Sequence, residues 1–191
     1  TAVLYFNNAW EWSGGYTQYV AWANETPVLV PRVDGWFSYN TFAGEFVRNE
    51  RAKQIFYDHV KYIVSRTNRY TGIKYIDDPA IFSWQISNEP RAFSSKEVNN
   101  KEAFAEWLAA SARLIRSIDP NHMISTGSEG YYGCEWDMDL CEAIHAIDEI
   151  SYINCHVWPY NWKWMRGDAM REDLQQSCEN TEEYINMHLE L

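Results

Sequence analysis

Four short apolar runs, each ended by polar or turn-forming residues, set the strongest limit on how this chain folds. Ala2–Phe6, Ile81–Ser87, His122–Thr126 and Ile150–Val157 have strand length and nearly continuous apolar character, the pattern of strands buried on both faces. Between them, Gly44–Asn68 places Phe46, Val47, Ile55, Phe56, Val60, Ile63 and Val64 at three- and four-residue steps. Glu102–Ile118 does the same with Phe104, Trp107, Leu108, Leu114, Ile115 and Ile118, and both stretches read as amphipathic helices. A shorter helix is expected over Leu140–Ala146, and Thr181, with acidic residues behind it, reads as the cap of a last helix reaching Leu191. Ala9–Thr41 reads instead as a long loop, punctuated by Gly14-Gly15, Pro27, Pro31 and Gly35. Strands alternating with helices form parallel βα units, so the predicted class is α/β. Four units are half of an eight-stranded (β/α)8 TIM barrel, a fold of roughly 250 residues. Residues 1–191, opening in a strand and closing in a helix, are expected to form the middle of one such domain, with further strands before and after it.

In a parallel barrel the chemistry gathers at the C-terminal ends of the strands. The notable polar and aromatic residues of this sequence sit at those ends. The first tip offers Asn7, Asn8, Trp10 and Trp12, and the second Asn88, Glu89 and Arg91. The third offers Glu129 and Tyr131, and the fourth His156, Trp158 and Trp162. All four tips of a barrel face one pocket. The run Ile81-Phe82-Ser83-Trp84-Gln85-Ile86-Ser87 is the sharpest of them, because it delivers an amide and a carboxylate directly to a strand end.

Composition narrows the ligand. The chain holds 10 Trp, 13 Tyr and 8 Phe, together 16% of its residues. Indole and phenol rings combine a flat apolar face with a hydrogen-bonding edge, which complements the C–H faces and hydroxyl rims of sugars, although any single ring serves a core equally well. With 27 acidic against 16 basic residues the formal charge is −11. Such a surface repels phosphate backbones, so nucleic acid is not expected as a partner. No apolar run approaches the roughly 20 residues that a membrane-spanning helix needs. The spacing of Cys134, Cys141, Cys155 and Cys178 matches no paired zinc-ligand pattern, so no metal is expected. Cys134 and Cys141 are close enough in sequence for a local disulfide, and Cys155 reads as a buried thiol in the fourth strand. Asp137-Met138-Asp139 reads as a solvated loop.

Asn88-Glu89-Pro90 after an apolar strand resembles the acid/base motif of glycoside hydrolase family 5 and its wider clan of retaining (β/α)8 enzymes. Asn7-Asn8-Ala9-Trp10-Glu11-Trp12-Ser13-Gly14-Gly15 with Gln18-Tyr19 is similar to the loop after the third strand in the endo-β-1,4-mannanases of that family. Asp77-Asp78-Pro79-Ala80-Ile81 and His156-Val157-Trp158-Pro159-Tyr160-Asn161-Trp162 fit the same enzymes. The resemblance touches four separated points in the right order and covers nearly the whole chain, which would then hold strands three to six of the barrel.

The resemblance implies an endo-acting, retaining hydrolase of β-mannan, glucomannan or galactomannan, secreted or at the cell surface, with no cofactor. Glu89 would be the general acid/base, with a pKa raised chiefly by a neighbouring nucleophile carboxylate. Asn88 would bind the sugar 2-hydroxyl, Arg91 sugars on the leaving-group side, and His156 would orient the carboxylates. Trp10 and Trp158 would be stacking platforms, and Asn8 and Glu129 further substrate contacts. The family's nucleophile glutamate lies on the seventh strand, beyond Leu191. Trp158 stands where many relatives carry Tyr, so a hydrogen bond from it to the nucleophile is not implied. Glu129 is the sole serious substitute within the sequence, at the roughly 5–5.5 Å separation of retaining enzymes or the roughly 6.5–9.5 Å of inverting ones. A β-1,4-glucanase of the same family and a sugar-binding barrel without catalysis are the alternatives.

Overall fold

In the computed structural model, which describes residues 1–189 and 191, three strands form one parallel sheet. They are β1 (Ala2–Tyr5), β2 (Ile81–Gln85) and β3 (Met123–Ser125), paired in the order β1-β2-β3. Leu4 stands opposite Trp84 and Tyr5 opposite Gln85, while Ser83, Trp84 and Gln85 face Met123, Ile124 and Ser125. Consecutive strands that are also parallel neighbours are the arrangement of a barrel arc. The helices α4 (Glu50–Val64) and α5 (Lys101–Ile118) make the two crossovers.

Each crossover helix buries one stripe in the shared core. On α4 the stripe is Ala52, Phe56, Val60 and Val64, four residues apart each time. On α5 it is Phe104, Trp107, Leu108, Ala112 and Ile115. Asn49 caps α4, its side chain accepting from the Ala52 amide at 3.0 Å, which fixes the start well after Gly44. Much of the aromatic content is core. Phe46 stacks on Tyr16 at 4.4 Å between centroids and meets Trp107 edge-on at 5.2 Å, and Phe56 packs on Trp107 at 5.4 Å. Fully burying each such ring contributes about 1.5–3 kcal/mol.

Four expectations change. The segment Ala9–Thr41 is largely helical: it contains α1 (Tyr16–Asn24) and α2 (Pro31–Asp34) and leads into α3 (Trp36–Gly44). Tyr16, Tyr19 and Val20 bury the inner face of α1 at helical spacing, and Pro31 opens α2 where its missing N–H is harmless. Ile150–Val157 is not a strand. It runs beside β3 with a single backbone bond, Ser151 N to Ile124 O at 2.8 Å, and otherwise bonds through side chains: Ser151 Oγ accepts from the Ile124 amide at 3.1 Å, and beyond the strand Asn154 bonds both Gly127 N and Ser128 O. The last helix, α7 (Met170–Leu189), starts eleven residues before Thr181. The Thr181 hydroxyl donates to Ser177 O at 2.7 Å, one turn back, so it acts inside the helix rather than as its cap. Of that expected helix, which was to reach Leu191, Glu190 lies outside the described residues. Finally, Cys134 and Cys141 are both buried as free thiols, and Cys155 is a half-buried thiol outside any strand. The short helix α6 (Met138–His145) is capped by Asp137, which accepts from Leu140 N at 3.1 Å and pairs with Lys101 at 2.8 Å.

Candidate active site

Backbone pairing continues past the named strands and carries the polar tips into register. Asn88 N donates to Asn7 O at 2.8 Å, Ile86 N to Ser125 O at 2.9 Å and Glu89 N to Gly127 O at 2.9 Å, and Asn8 bridges Asn88 in parallel. Two tight approaches depend on glycine. Gly127 has φ +82°, and a Cβ there would stand 1.7 Å from Ser87 O. At Gly15 a Cβ would stand 1.7 Å from Trp10 O, so the turn that brings Trp10 over the sheet closes only without a side chain. Glu89 itself has φ +51°, a left-handed conformation uncommon outside glycine that aims its side chain out of the strand line.

The tips enclose an open cleft of about 1020 Å³ whose lining includes Asn88, Glu89, Arg91, Glu129, His156 and Trp158. Glu89 is only 8% exposed and receives three donors. His156 Nδ1 donates to Oε1 at 2.8 Å, Trp158 Nε1 to the same oxygen at 2.9 Å, and Trp10 Nε1 to Oε2 at 2.6 Å. Burial pushes the Glu89 carboxyl up, but the bonds from His156, Trp10 and Trp158 and the charge of His156 outweigh it, so its pKa is lowered. The expected rise depends on a nucleophile carboxylate beyond Leu191, which is not among these groups.

Beside it, Arg91 pairs with the buried Glu129, its Nε donating to Oε2 at 2.8 Å, and its guanidinium lies 5.2 Å from the Trp10 ring centroid. Glu129 is raised, by burial first and by the neighbouring Glu89 charge, against the attraction of Arg91. Trp10 also meets Trp36 and Phe93 edge-on at 6.1 and 5.5 Å.

Seven of the eight residues expected at the site line this cleft: Glu89, Asn88, Arg91, Trp10, Glu129, His156 and Trp158. Asn8 does not. It is 4% exposed and lies behind the tips, its Oδ1 accepting from Trp10 N at 3.1 Å and from Asn88 Nδ2 at 3.4 Å, so it holds two lining residues in place. Trp36 and Asn40 line the cleft without having been singled out. They stand one turn apart on α3, a spacing hidden by reading the region as loop. Among the described residues no group of three or more His, Cys, Asp or Glu is placed to hold a metal ion, and no helix is long and apolar enough to cross a membrane.

A family model described as GH family 5 beta-mannosidase-like matches residues 1–191. The chain belongs to glycoside hydrolase family 5. Within this family it is 29% identical to mannan endo-1,4-beta-mannosidase 1 of Solanum lycopersicum, an alignment covering 98% of the chain and 45% of that protein. The family 5 mannosidase of Rhizomucor miehei superposes with a TM-score of 0.82 at 29% identity, over 98% of the chain and 43% of that structure. A variant of that mannosidase is known in complex with mannosyl-fructose. The endo-1,4-beta-mannanase of the same organism superposes with a TM-score of 0.65 at 29% identity, over 84% and 45%. The family 5 chain therefore spans less than half the length of each of these relatives.

Proposed function

We propose that this family 5 chain forms the acid/base half of a glycoside hydrolase that cleaves β-1,4-mannan internally, by double displacement with retention. The observation that carries the reading is the convergence of three donors from two other tips on Glu89, inside an aromatic cleft. Glu89 protonates the leaving glycosidic oxygen and then takes the proton of the attacking water. Its partner is a nucleophile glutamate supplied beyond Leu191. A second carboxylate at the roughly 5–5.5 Å of retaining enzymes opposes ionisation of Glu89, which offsets the three donors and gives it a proton to donate. Asn88 meets the sugar 2-hydroxyl at the reacting ring, and Arg91, held by Glu129, meets the sugar on the leaving side. Trp10 and Trp158 offer faces for pyranose rings and N–H groups for the carboxylate, and His156 fixes Oε1. The substrate is a long polymer that does not cross membranes, so the enzyme acts outside the cell or at its surface. No cofactor takes part.

A second reading has its own support. The family description and the TM-score of 0.82 both point to mannosidases, which favours release of single mannose units from chain ends. Product analysis of mannohexaose hydrolysis by the full-length enzyme separates the two: mixed shorter oligosaccharides at early times mark internal cleavage, and mannose with mannopentaose marks terminal cleavage. Glu89→Gln is expected to lower the rate on galactomannan by ~10²–10⁴-fold. An unchanged rate, or preference for carboxymethyl cellulose, would overturn the assignment.

A further inference from the structure

We infer that Tyr184 and His188 on α7 are positioning residues for Glu129 and, through it, for the Arg91 guanidinium; the inference rests on the cleft reading given above. Glu129 enters the cleft from a tight turn, and these two side chains bond its backbone at three points, beside Ser128 Oγ on Gly130 N and the Cys134 amide on Gly130 O. The Tyr184 hydroxyl donates to Glu129 O at 2.5 Å and accepts from Tyr132 N at 3.2 Å. His188 Nε2 accepts from Tyr131 N at 2.9 Å. Its other nitrogen, Nδ1, donates to Tyr184 O at 2.6 Å within the helix, which fixes the neutral tautomer that leaves Nε2 free to accept. Between these bonds sits Gly130, at φ +85°, where a Cβ would fall 2.2 Å from His188 Nε2. The imidazole is thus packed directly against the turn.

The rest of α7 does not explain this docking. Of its twenty residues only Ser177, Tyr184 and His188 are buried, while Leu174, Ile185 and Leu189 are exposed. The helix meets the body of the protein here by hydrogen bonds to one turn and by the Tyr184 ring, which packs on Tyr132, Trp162 and Trp164. The link runs onward in short steps: Glu129 to Arg91, Arg91 over the Trp10 ring, and Trp10 Nε1 to Glu89 Oε2. A buried carboxylate–guanidinium pair depends steeply on geometry, so the turn that carries Glu129 sets where Arg91 stands.

A double-mutant cycle in the full-length enzyme tests this, with Tyr184→Phe, Glu129→Gln and the pair, each checked for an intact melting transition. Tyr184→Phe keeps the ring packed on Tyr132 and Trp162 and removes only the hydroxyl. It is expected to lower kcat/KM on mannopentaose about tenfold, short of the roughly 100-fold that a 1 Å misplacement causes. In the Glu129→Gln background the same change is expected to cost less than about twofold, because the residue acts through Glu129. Equal losses in both backgrounds, or no loss in the first, overturn the inference. If Tyr184→Phe does not fold, His188→Gln, whose Oε1 can still accept from Tyr131, is expected to retain most activity where His188→Phe does not; equal activities overturn it. Mannotriose binding followed by tryptophan emission is read in parallel. Absent hydrolysis with the same non-additivity in binding would count against the enzyme reading and leave the positioning role standing.

Discussion

Trp10→Phe isolates one bond to Glu89 while keeping an aromatic ring in the same niche. In the structure Oε2 has Trp10 Nε1 as its donor at 2.6 Å, whereas Oε1 keeps both His156 and Trp158. A hydrogen bond to a charged group contributes about 1.5–3 kcal/mol. Water replaces it poorly, since Glu89 is nearly enclosed. The bond favours only the ionised carboxylate, and about 1.4 kcal/mol corresponds to one pH unit. Removing it therefore moves proton release by Glu89 upward by about one pH unit, taking the lower end of that range. A general acid must hold its proton, so the alkaline limb of the kcat/KM profile reports its loss and should shift to higher pH by that amount. The profile is measured on mannopentaose with the full-length enzyme, and Trp158→Phe serves as comparison, with a smaller upward shift because Oε1 retains His156. Any weakening of sugar stacking changes KM without moving the limb. An alkaline limb that stays put or moves down in folded Trp10→Phe refutes the argument that this indole holds Glu89 in its charged form.

Two further outcomes follow from the other end of the sheet and from its tip. Asp119 is fully buried and accepts from Trp84 Nε1 and His122 Nδ1, each at 2.7 Å, so Asp119→Ala is expected to cost about 3–5 kcal/mol in denaturant unfolding. Burial opposes its ionisation, but the donors from Trp84, His122 and Asn121 prevail and lower its pKa; its contribution is complete above the unfolded value of about 4 and is lost as pH falls below it, a slope the variant should lack. Gly127→Ala places a methyl group at φ +82° against Ser87 O and is expected to cost about 2 kcal/mol or more, with a lowered Tm; unchanged stability would mean that the two tips move apart freely.

The site was more legible in the sequence than the scaffold around it. Asn88-Glu89-Pro90-Arg91 follows an unbroken apolar run, and β2 ends within two residues of where that run does. The tip residues were found because parallel strands deliver their ends to one face, a rule that needs only strand order. Helix boundaries and the fourth strand depended on bonds that residue type does not announce. Ser151 and Asn154 look like interruptions in an apolar run, and in space their side chains supply most of the bonds beside β3 and its tip that a ladder would otherwise make. Thr181 looks like a cap, and in space it bonds one turn back inside a helix that is already under way. The donors that lower the Glu89 pKa were hidden for a related reason. Carboxylate burial is suggested by the strand, but the three N–H groups aimed at it arrive from residues 10, 156 and 158.

Those N–H groups give the cleft an optical property as well. Two of the three belong to indoles, the chromophores that dominate protein emission, and each ends on an oxygen of the same carboxylate. A proton arriving on Glu89, or a sugar hydroxyl displacing either bond, changes the field across both rings at once. The cleft thus carries its own reporter: the difference in emission between the protein and its Glu89→Gln variant, followed against pH, traces the charge of one carboxylate without any added label.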